Sequence, residues 1–426
     1  MDTNKKQTGN PNVVRSLKSA AKLVGTATSP SAAASASRRR LLEFELGRRA
    51  TDAARKSHDA TAPRADRDGL PPLSFAQEGL WLFLQRAPGT TLFQLGTRFT
   101  LRGALDVNSL QASLDEIVRR HEALRTGFAA RDGLPEAIVI PSCRVSLRES
   151  KLDAGPREDR ERAIDRASQD FVREPFDLAR PPLFRAVLLR AGAQEHVLVV
   201  ASHHLVFDGW CRSILHNELT ALYQAFSAGK PSDLPPLRMQ CGDVARRQRR
   251  MLDEDRRARL ADHWKSRLEG APVILDLPVD FARSRRSDPV CGRETLALDA
   301  SISTALKDLG RAHEATPFMV LLAAFATVLS RWSGQKDMLI GVPLAGREDP
   351  DVQRVIGLFV NLLPVRVDLQ GNPPFVELLR QVRASALETY EHQDLPLKLL
   401  LRELKIERRT DIAPLFQVAL NYQNHP

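Results

Sequence analysis

Residues 195–201, EHVLVVA, limit how this chain can fold more than any other stretch. An apolar run of strand length with no polar alternation suits a strand buried on both faces. Directly downstream, Ile214, Leu215, Leu219, Leu222, Tyr223 and Phe226 recur at helical spacing, so a helix follows. Between the two lies Ser202-His203-His204-Leu205-Val206-Phe207-Asp208-Gly209-Trp210. Two imidazoles therefore stand where a buried strand stops and a helix has not begun. Side chains at such element ends are held firmly and remain within reach of a substrate.

The rest of the chain alternates in the same way. Helices are expected at 75–85, 107–121 (capped by Asp106), 155–173 and 244–268, and strands at 93–101, 137–140, 145–147 and 184–189. A second unit begins near Pro272, with strands at 293–298, 337–343 and 362–367 and helices at 302–313, 317–332 and 374–392. Strand, helix, helix, strand thus occurs twice. The economical reading is an α/β (α+β) protein of two lobes of similar size, at 70–268 and 269–426.

The net charge of +10 suggests a nucleic-acid binder until it is located. Residues 1–69 hold 14 Lys and Arg against 7 Asp and Glu, so most of the excess sits in a polar tail that includes a helical patch at 38–50. The remainder is nearly balanced, and nucleic acid is not an expected partner of the folded part. The four cysteines, Cys143, Cys211, Cys241 and Cys291, form no CxxC pair, which fits a reducing cytoplasm. The longest apolar run, 317–329, is too short to cross a bilayer, so no membrane role is expected.

Successive side chains on a strand point to opposite faces, so at most one of His203 and His204 faces a cleft. For the same reason the pair is a poor metal site, and no metal is expected. Asp208 is placed to orient an imidazole or to hold the loop through an arginine. Gly209 permits a turn that a side chain would obstruct. A neutral imidazole is the natural proton acceptor near pH 7. No GxSxG elbow supplies a serine nucleophile, so the stretch supports a single base assisting direct attack of one substrate on another. Two satisfied loop histidines fit the same residues.

The surroundings favour the first reading. The stretch resembles the HHxxxDG motif of the condensation domains of nonribosomal peptide synthetases, and the companion motifs follow in order. Ser74-Phe-Ala-Gln77-Glu-Gly79-Leu80-Trp81 resembles SxAQxRLW, with Gly79 in place of the usual arginine. Arg120-His121-Glu122-Ala123-Leu124-Arg125-Thr126 matches RHExLRT. The region from Leu234 to Asp243 resembles the fourth motif weakly, since Cys241, Gly242, Val244 and Ala245 replace its tyrosine-rich wording. Ile340 to Arg347 with Ile356 to Asn361 resembles the fifth motif, His392 to Pro396 the sixth, and Pro414 to Gln423 the seventh.

This resemblance covers about residues 70–426. It implies two chloramphenicol-acetyltransferase-like lobes in a V-shaped pseudo-dimer with a tunnel between them. Donor and acceptor peptidyl carrier proteins would dock at its mouths, next to an adenylation domain. The acceptor amine would attack the donor thioester to form an amide. No cofactor would be bound by the domain itself, since the substrates ride on phosphopantetheine arms. The resemblance makes His204 the catalytic histidine and His203 structural, and puts Gly209 against the reaction site. Asp208 becomes an ion-pair anchor, with Arg347 the preferred partner and Arg125 or Arg120 the alternative. Trp210, Asn361, Ser74 and Gln77 are candidates to line the tunnel.

His203 and His204 argue against heterocyclisation, whose domains carry aspartates there, and Trp210-Cys211 departs from the DGVSW of epimerisation domains. Family members continue beyond the seventh motif, so a second lobe truncated at its C-terminal end is expected. The competing readings are a fragment that only docks carrier proteins and, more weakly, a tail that binds nucleic acid. Trp81, Trp210 and Trp332 are expected in the core. The arginines of 246–260, interleaved with acids, are expected on a solvated face.

Overall fold

The computed structural model describes residues 70–152, 156–280, 292–406 and 412–423. The expected tail, the helical patch at 38–50 and Cys291 lie outside the described residues.

The first half runs α1 (Phe75–Leu84), β1 (Gln94–Arg102), α2 (Val107–Arg120), β2 (Thr126–Arg131), β3 (Leu134–Val139), β4 (Leu147–Lys151), α3 (Arg157–Arg173), β5 (Phe184–Arg190), β6 (Glu195–His203) and α4 (Cys211–Ser227). The second continues with α5 (Cys241–Met251), α6 (Glu254–Leu268), α7 (Ala300–Ala312), α8 (Pro317–Ser333), β7 (Asp337–Leu344), β8 (Asn361–Asp368), α9 (Phe375–Glu391) and α10 (Leu397–Glu403).

The apolar run becomes β6, an inner strand of the sheet β1-β6-β5-β4. It pairs antiparallel with β1 and β5, and every residue after Glu195 is buried. Leu198 and Val200 face a core shared with Leu110, Leu114 and Ile117 of α2 and Leu215, Leu219 and Leu222 of α4. Val197, Val199 and Ala201 face the other way, onto Ile164 and Phe171 of α3. Helices cover both faces, which is why this strand carries no polar alternation. Fully burying a leucine such as Leu198 contributes roughly 1.5–3 kcal/mol.

In the second half, β7 and β8 pair antiparallel from Asp337↔Asp368 to Leu344↔Asn361. Gly341 also bonds to the returning chain: its N–H donates to Val418 O at 2.9 Å and its carbonyl accepts Leu420 N–H at 2.9 Å. A side chain on Gly341 would meet the Phe416 ring at 2.5 Å, so only glycine lets the ring pack there. Met338, Ile340 and Val342 share a core with α8 and α9. Leu339 and Leu363 share another with Leu260, Trp264 and Leu268 of α6.

Several expectations are corrected. The single helix at 244–268 is two helices, broken where the Asp253 carboxylate accepts Arg256 N–H at 2.7 Å and caps a new start. Residues 293–298 alternate like a strand but form none; Leu296 is 85% exposed, and no described strand lies alongside to pair with it. The strand expected at 145–147 begins only at Leu147. Trp332 is 69% exposed rather than core, because it shares a face of α8 with exposed Val328, opposite buried Met319, Ala323 and Ala326. Nor is the arginine-rich region simply a solvated face. Arg247 pairs with Asp349, Arg249 with Glu78, Arg256 with Asp394 and Arg257 with Glu403. Glu78 also meets Lys398 at 3.4 Å, so α1, α5 and α10 are laced together by charge.

No single described helix is long and apolar enough to cross a membrane.

Candidate active site

Strand β6 delivers the histidines in opposite environments. His203, its last residue, continues the face that meets α3: the ring is 3% exposed and lies edge-on to Phe176, centroids 6.4 Å apart. Its Nδ1 accepts Leu205 N–H at 3.1 Å, so a neutral ring carries its hydrogen on Nε2. Burial, and then the neighbouring His204, pull its pKa down to about 4.

This shift has a consequence for stability. The unfolded chain takes up a proton at His203 near pH 6.5, and the folded protein does so only near pH 4. The stability tied to the neutral ring is complete above pH 6.5. It is lost as pH falls toward 4, by up to roughly 3 kcal/mol. Urea unfolding across this range is expected to show that loss, and His203→Asn, which keeps an acceptor for Leu205 N–H, is expected to flatten it. An unchanged slope in the variant would refute the assignment.

His204 is half-buried. Its backbone N–H donates to Phe93 O at 2.8 Å, pinning the loop to the chain entering β1. Its Nδ1 lies 2.8 Å from Phe207 O. A carbonyl only accepts, so Nδ1 carries the hydrogen and Nε2 keeps the basic lone pair. The loop's own backbone thus selects the tautomer. Phe93 lies 6.5 Å from the imidazole, and Phe83, 47% exposed, meets Phe93 at 5.3 Å edge-to-face. This apolar rim beside His204 escaped the sequence reading, which placed Phe83 and Phe93 only within the expected helix at 75–85 and strand at 93–101.

Asp208 and Arg347 form a pair with no exposed side-chain surface. Arg347 Nη2 donates to both carboxylate oxygens at 3.0 Å. Asp208 also accepts Cys211 N–H at 3.3 Å and Phe359 N–H at 3.2 Å. Arg347 Nη1 donates to Val352 O at 2.9 Å and Val355 O at 2.6 Å, and Nη2 to Gly357 O at 3.2 Å. The guanidinium lies over the Phe359 ring, 4.7 Å from its centroid. Two buried charges are tolerable only with partners this dense. The pair ties the start of α4 to the 352–359 loop. Burial, and then Asp208, push the Cys211 thiol well above its ordinary range, so it stays protonated and takes no part as a nucleophile.

The alternative arginines are engaged elsewhere. Arg120 donates to Glu218 at 3.2 and 3.1 Å and to Pro235 O at 3.0 Å. Arg125 donates to Ile140 O at 2.7 Å and faces Glu122 at 3.7 Å.

Three of the expected tunnel-lining residues brace the backbone around the site. Ser74 and Gln77 are buried and form the capping box of α1. Ser74 Oγ also donates to Leu358 O at 2.8 Å, and Gln77 Nε2 to Leu205 O at 2.8 Å, so their polar atoms are occupied. Asn361 donates to Gln393 O and Leu395 O at 2.9 Å each and accepts Leu397 N–H at 3.0 Å, which makes it the clamp of the turn before α10. Gly209 and Trp210 are partly exposed beside His204 in the loop, and Trp210 Nε1 donates to Gln353 O at 3.0 Å.

The condensation-domain family model matches residues 68–426. Phosphinothricin tripeptide synthetase PhsC of Streptomyces viridochromogenes is 41% identical over 389 residues, covering 91% of this chain and 36% of that protein. Isonitrile lipopeptide synthase of Mycobacterium tuberculosis is 39% identical over 374 residues, covering 85% of this chain and 14% of that protein. The chain therefore spans only a minor part of either relative. Among solved structures, the X-domain from teicoplanin biosynthesis aligns with a TM-score of 0.72 at 29% identity, over 84% of this chain and 78% of that one. The first condensation domain of the calcium-dependent antibiotic synthetase has the same fold, with a TM-score of 0.70 at 22% identity over 83% of this chain and 81% of that one.

Proposed function

The chain belongs to the condensation-domain family, and from that premise we propose that it joins two carrier-bound substrates through an amide bond. The observation that carries the reading is the fixed tautomer of His204. With Nδ1–H held by Phe207 O, Nε2 presents a lone pair on the less buried histidine of the pair. A free α-amine titrates near 7.7–8.0, so a neighbouring imidazole relieves it of a proton at working pH.

The acceptor amine bonds to the donor's thioester carbonyl carbon as His204 Nε2 takes its proton. The C–S bond then breaks, and the donor's thiolate takes the proton from His204 Nε2, leaving as the thiol and returning the imidazole to its neutral form. His203, neutral and buried, holds the end of the strand. Asp208 and Arg347 hold the turn that carries Gly209, and Trp210 borders the reaction site. Donor and acceptor carrier proteins bring the substrates on phosphopantetheine arms, an adenylation domain is the neighbour, and the cytoplasm is the setting. Relatives named as a tripeptide synthetase and a lipopeptide synthase support a peptide product.

The test is to mix the purified chain with one carrier loaded as an acyl thioester and another loaded as an aminoacyl thioester. Intact-mass spectrometry should find the amide on the acceptor arm and a free thiol on the donor arm. Two loaded carriers that persist unchanged would leave a protein that docks carriers without condensing them.

A further inference from the structure

The RHExLRT stretch contains a buried histidine for which the mechanism above has no use. His121, directly after α2, is fully enclosed. Its Nε2 lies 3.0 Å from Glu218 Oε2, and a carboxylate accepts, so the hydrogen is on Nε2. Its Nδ1 then accepts Ile356 N–H at 3.3 Å. The carbonyl of that same peptide unit, Val355 O, accepts Arg347 Nη1 at 2.6 Å. One peptide is thus gripped on its N–H side by His121 and on its C=O side by the arginine that anchors Asp208.

We propose that His121, oriented by Glu218, is a positioning residue that acts on His204 through the Val355–Ile356 peptide. This rests on the condensation reading above. Glu218 stands on α4, the helix that begins immediately after the histidine loop. The 352–359 loop is therefore docked on α4 at two points. At Cys211, the thiol sulfur accepts Gly357 N–H at 3.4 Å. At Glu218, the link runs through His121. A loop docked at both points has one place to put the Val352, Val355 and Gly357 carbonyls, and those carbonyls aim Arg347 at Asp208. Asp208 in turn holds the turn whose Phe207 carbonyl selects the His204 tautomer.

Glu218 is equipped to orient the imidazole. Burial alone would raise its pKa, but the bonds from His121 and Arg120 outweigh that and hold the carboxyl below its usual range. The group that fixes the ring is thus an anion across the working range.

The test uses the full chain labelled with ¹⁵N-histidine. In His121→Phe, kcat is expected to fall ~10- to 100-fold, with KM for both loaded carriers unchanged. The His204 ¹⁵N resonances should move from a single Nδ1–H tautomer to a mixture. His121→Asn, which restores an acceptor toward Ile356, should recover most of the rate and the single tautomer. If His121→Phe does not fold, Glu218→Ala, which frees the ring without filling its site, carries the same two readouts. A folded His121→Phe with wild-type kcat and tautomer overturns the proposal, as does an Asn variant no better than Phe. A wild-type chain that makes no amide refutes the condensation reading instead, and the tautomer measurement still decides the link from His121 to His204.

Discussion

His204→Ala should lower amide formation by about 10²- to 10⁴-fold, the span that a positioned general base supplies. The fold should survive the change. His204 ties its loop to Phe93 O through its backbone N–H, which alanine retains. The variant loses the bond from Nδ1 to Phe207 O, worth about 0.5–1.5 kcal/mol, and the ring's contact with Phe93. Its urea midpoint should therefore shift little while product disappears from the mass spectrum. His204→Gln sharpens the result, because a carboxamide can accept a hydrogen bond from the amine but cannot take its proton. If proton acceptance is the role, Gln falls with Ala. If Gln keeps most of the rate, His204 positions the amine by hydrogen bonding and the base assignment fails. A His204→Ala variant as fast as the wild type would remove the site from the reaction altogether.

The fold was legible wherever burial leaves a mark on adjacent residues. The run at 195–201 lacks polar alternation because α2 and α4 cover one face of β6 and α3 the other, and that absence is visible without coordinates. Pleat parity separated His203 from His204 for the same reason, although only the packing of Phe176 shows which face is closed. Parity cannot identify partners far along the chain. Arg347, Arg120 and Arg125 are alike as residues. What distinguishes them is that Glu218 and Ile140 O lie beside two of them and Asp208 beside the third.

The arginines of α5 and α6 misled for a related reason. Asp253, Glu254 and Asp255 lie close by in sequence and suggest local neutralisation, whereas Arg247, Arg249, Arg256 and Arg257 take partners at 349, 78, 394 and 403. Residues 293–298 have the alternation of a strand, but a strand needs a neighbour, and that is not a property of the segment itself. Ser74 and Gln77 did carry a local message: serine followed three residues later by glutamine marks a helix start. The structure puts both residues in that cap.

Arg347→Met should be the most destabilising substitution in the site, costing about 3–5 kcal/mol in urea unfolding. It leaves the Asp208 carboxylate with no exposed surface and only Cys211 and the Phe359 N–H to meet its charge. Asp208→Asn should cost a similar amount from the other side, since the guanidinium then has carbonyls but no counter-charge. The double variant Asp208→Asn/Arg347→Met removes both charges and should be far milder than the sum of the singles, because most of each single cost is the stranded partner. Single variants that each cost under about 1 kcal/mol would mean the pair is not sealed from water as the geometry requires. Activity then separates anchoring from stability. With neither charge left, the 352–359 loop loses the bonds from Nη1 and Nη2 that gather its carbonyls, and the turn holding Phe207 O loses its tether. A double variant that folds well yet condenses slowly, with His204 no longer in one tautomer, is the expected result. One that is both stable and fast would show that His204 needs no anchor beyond its own loop.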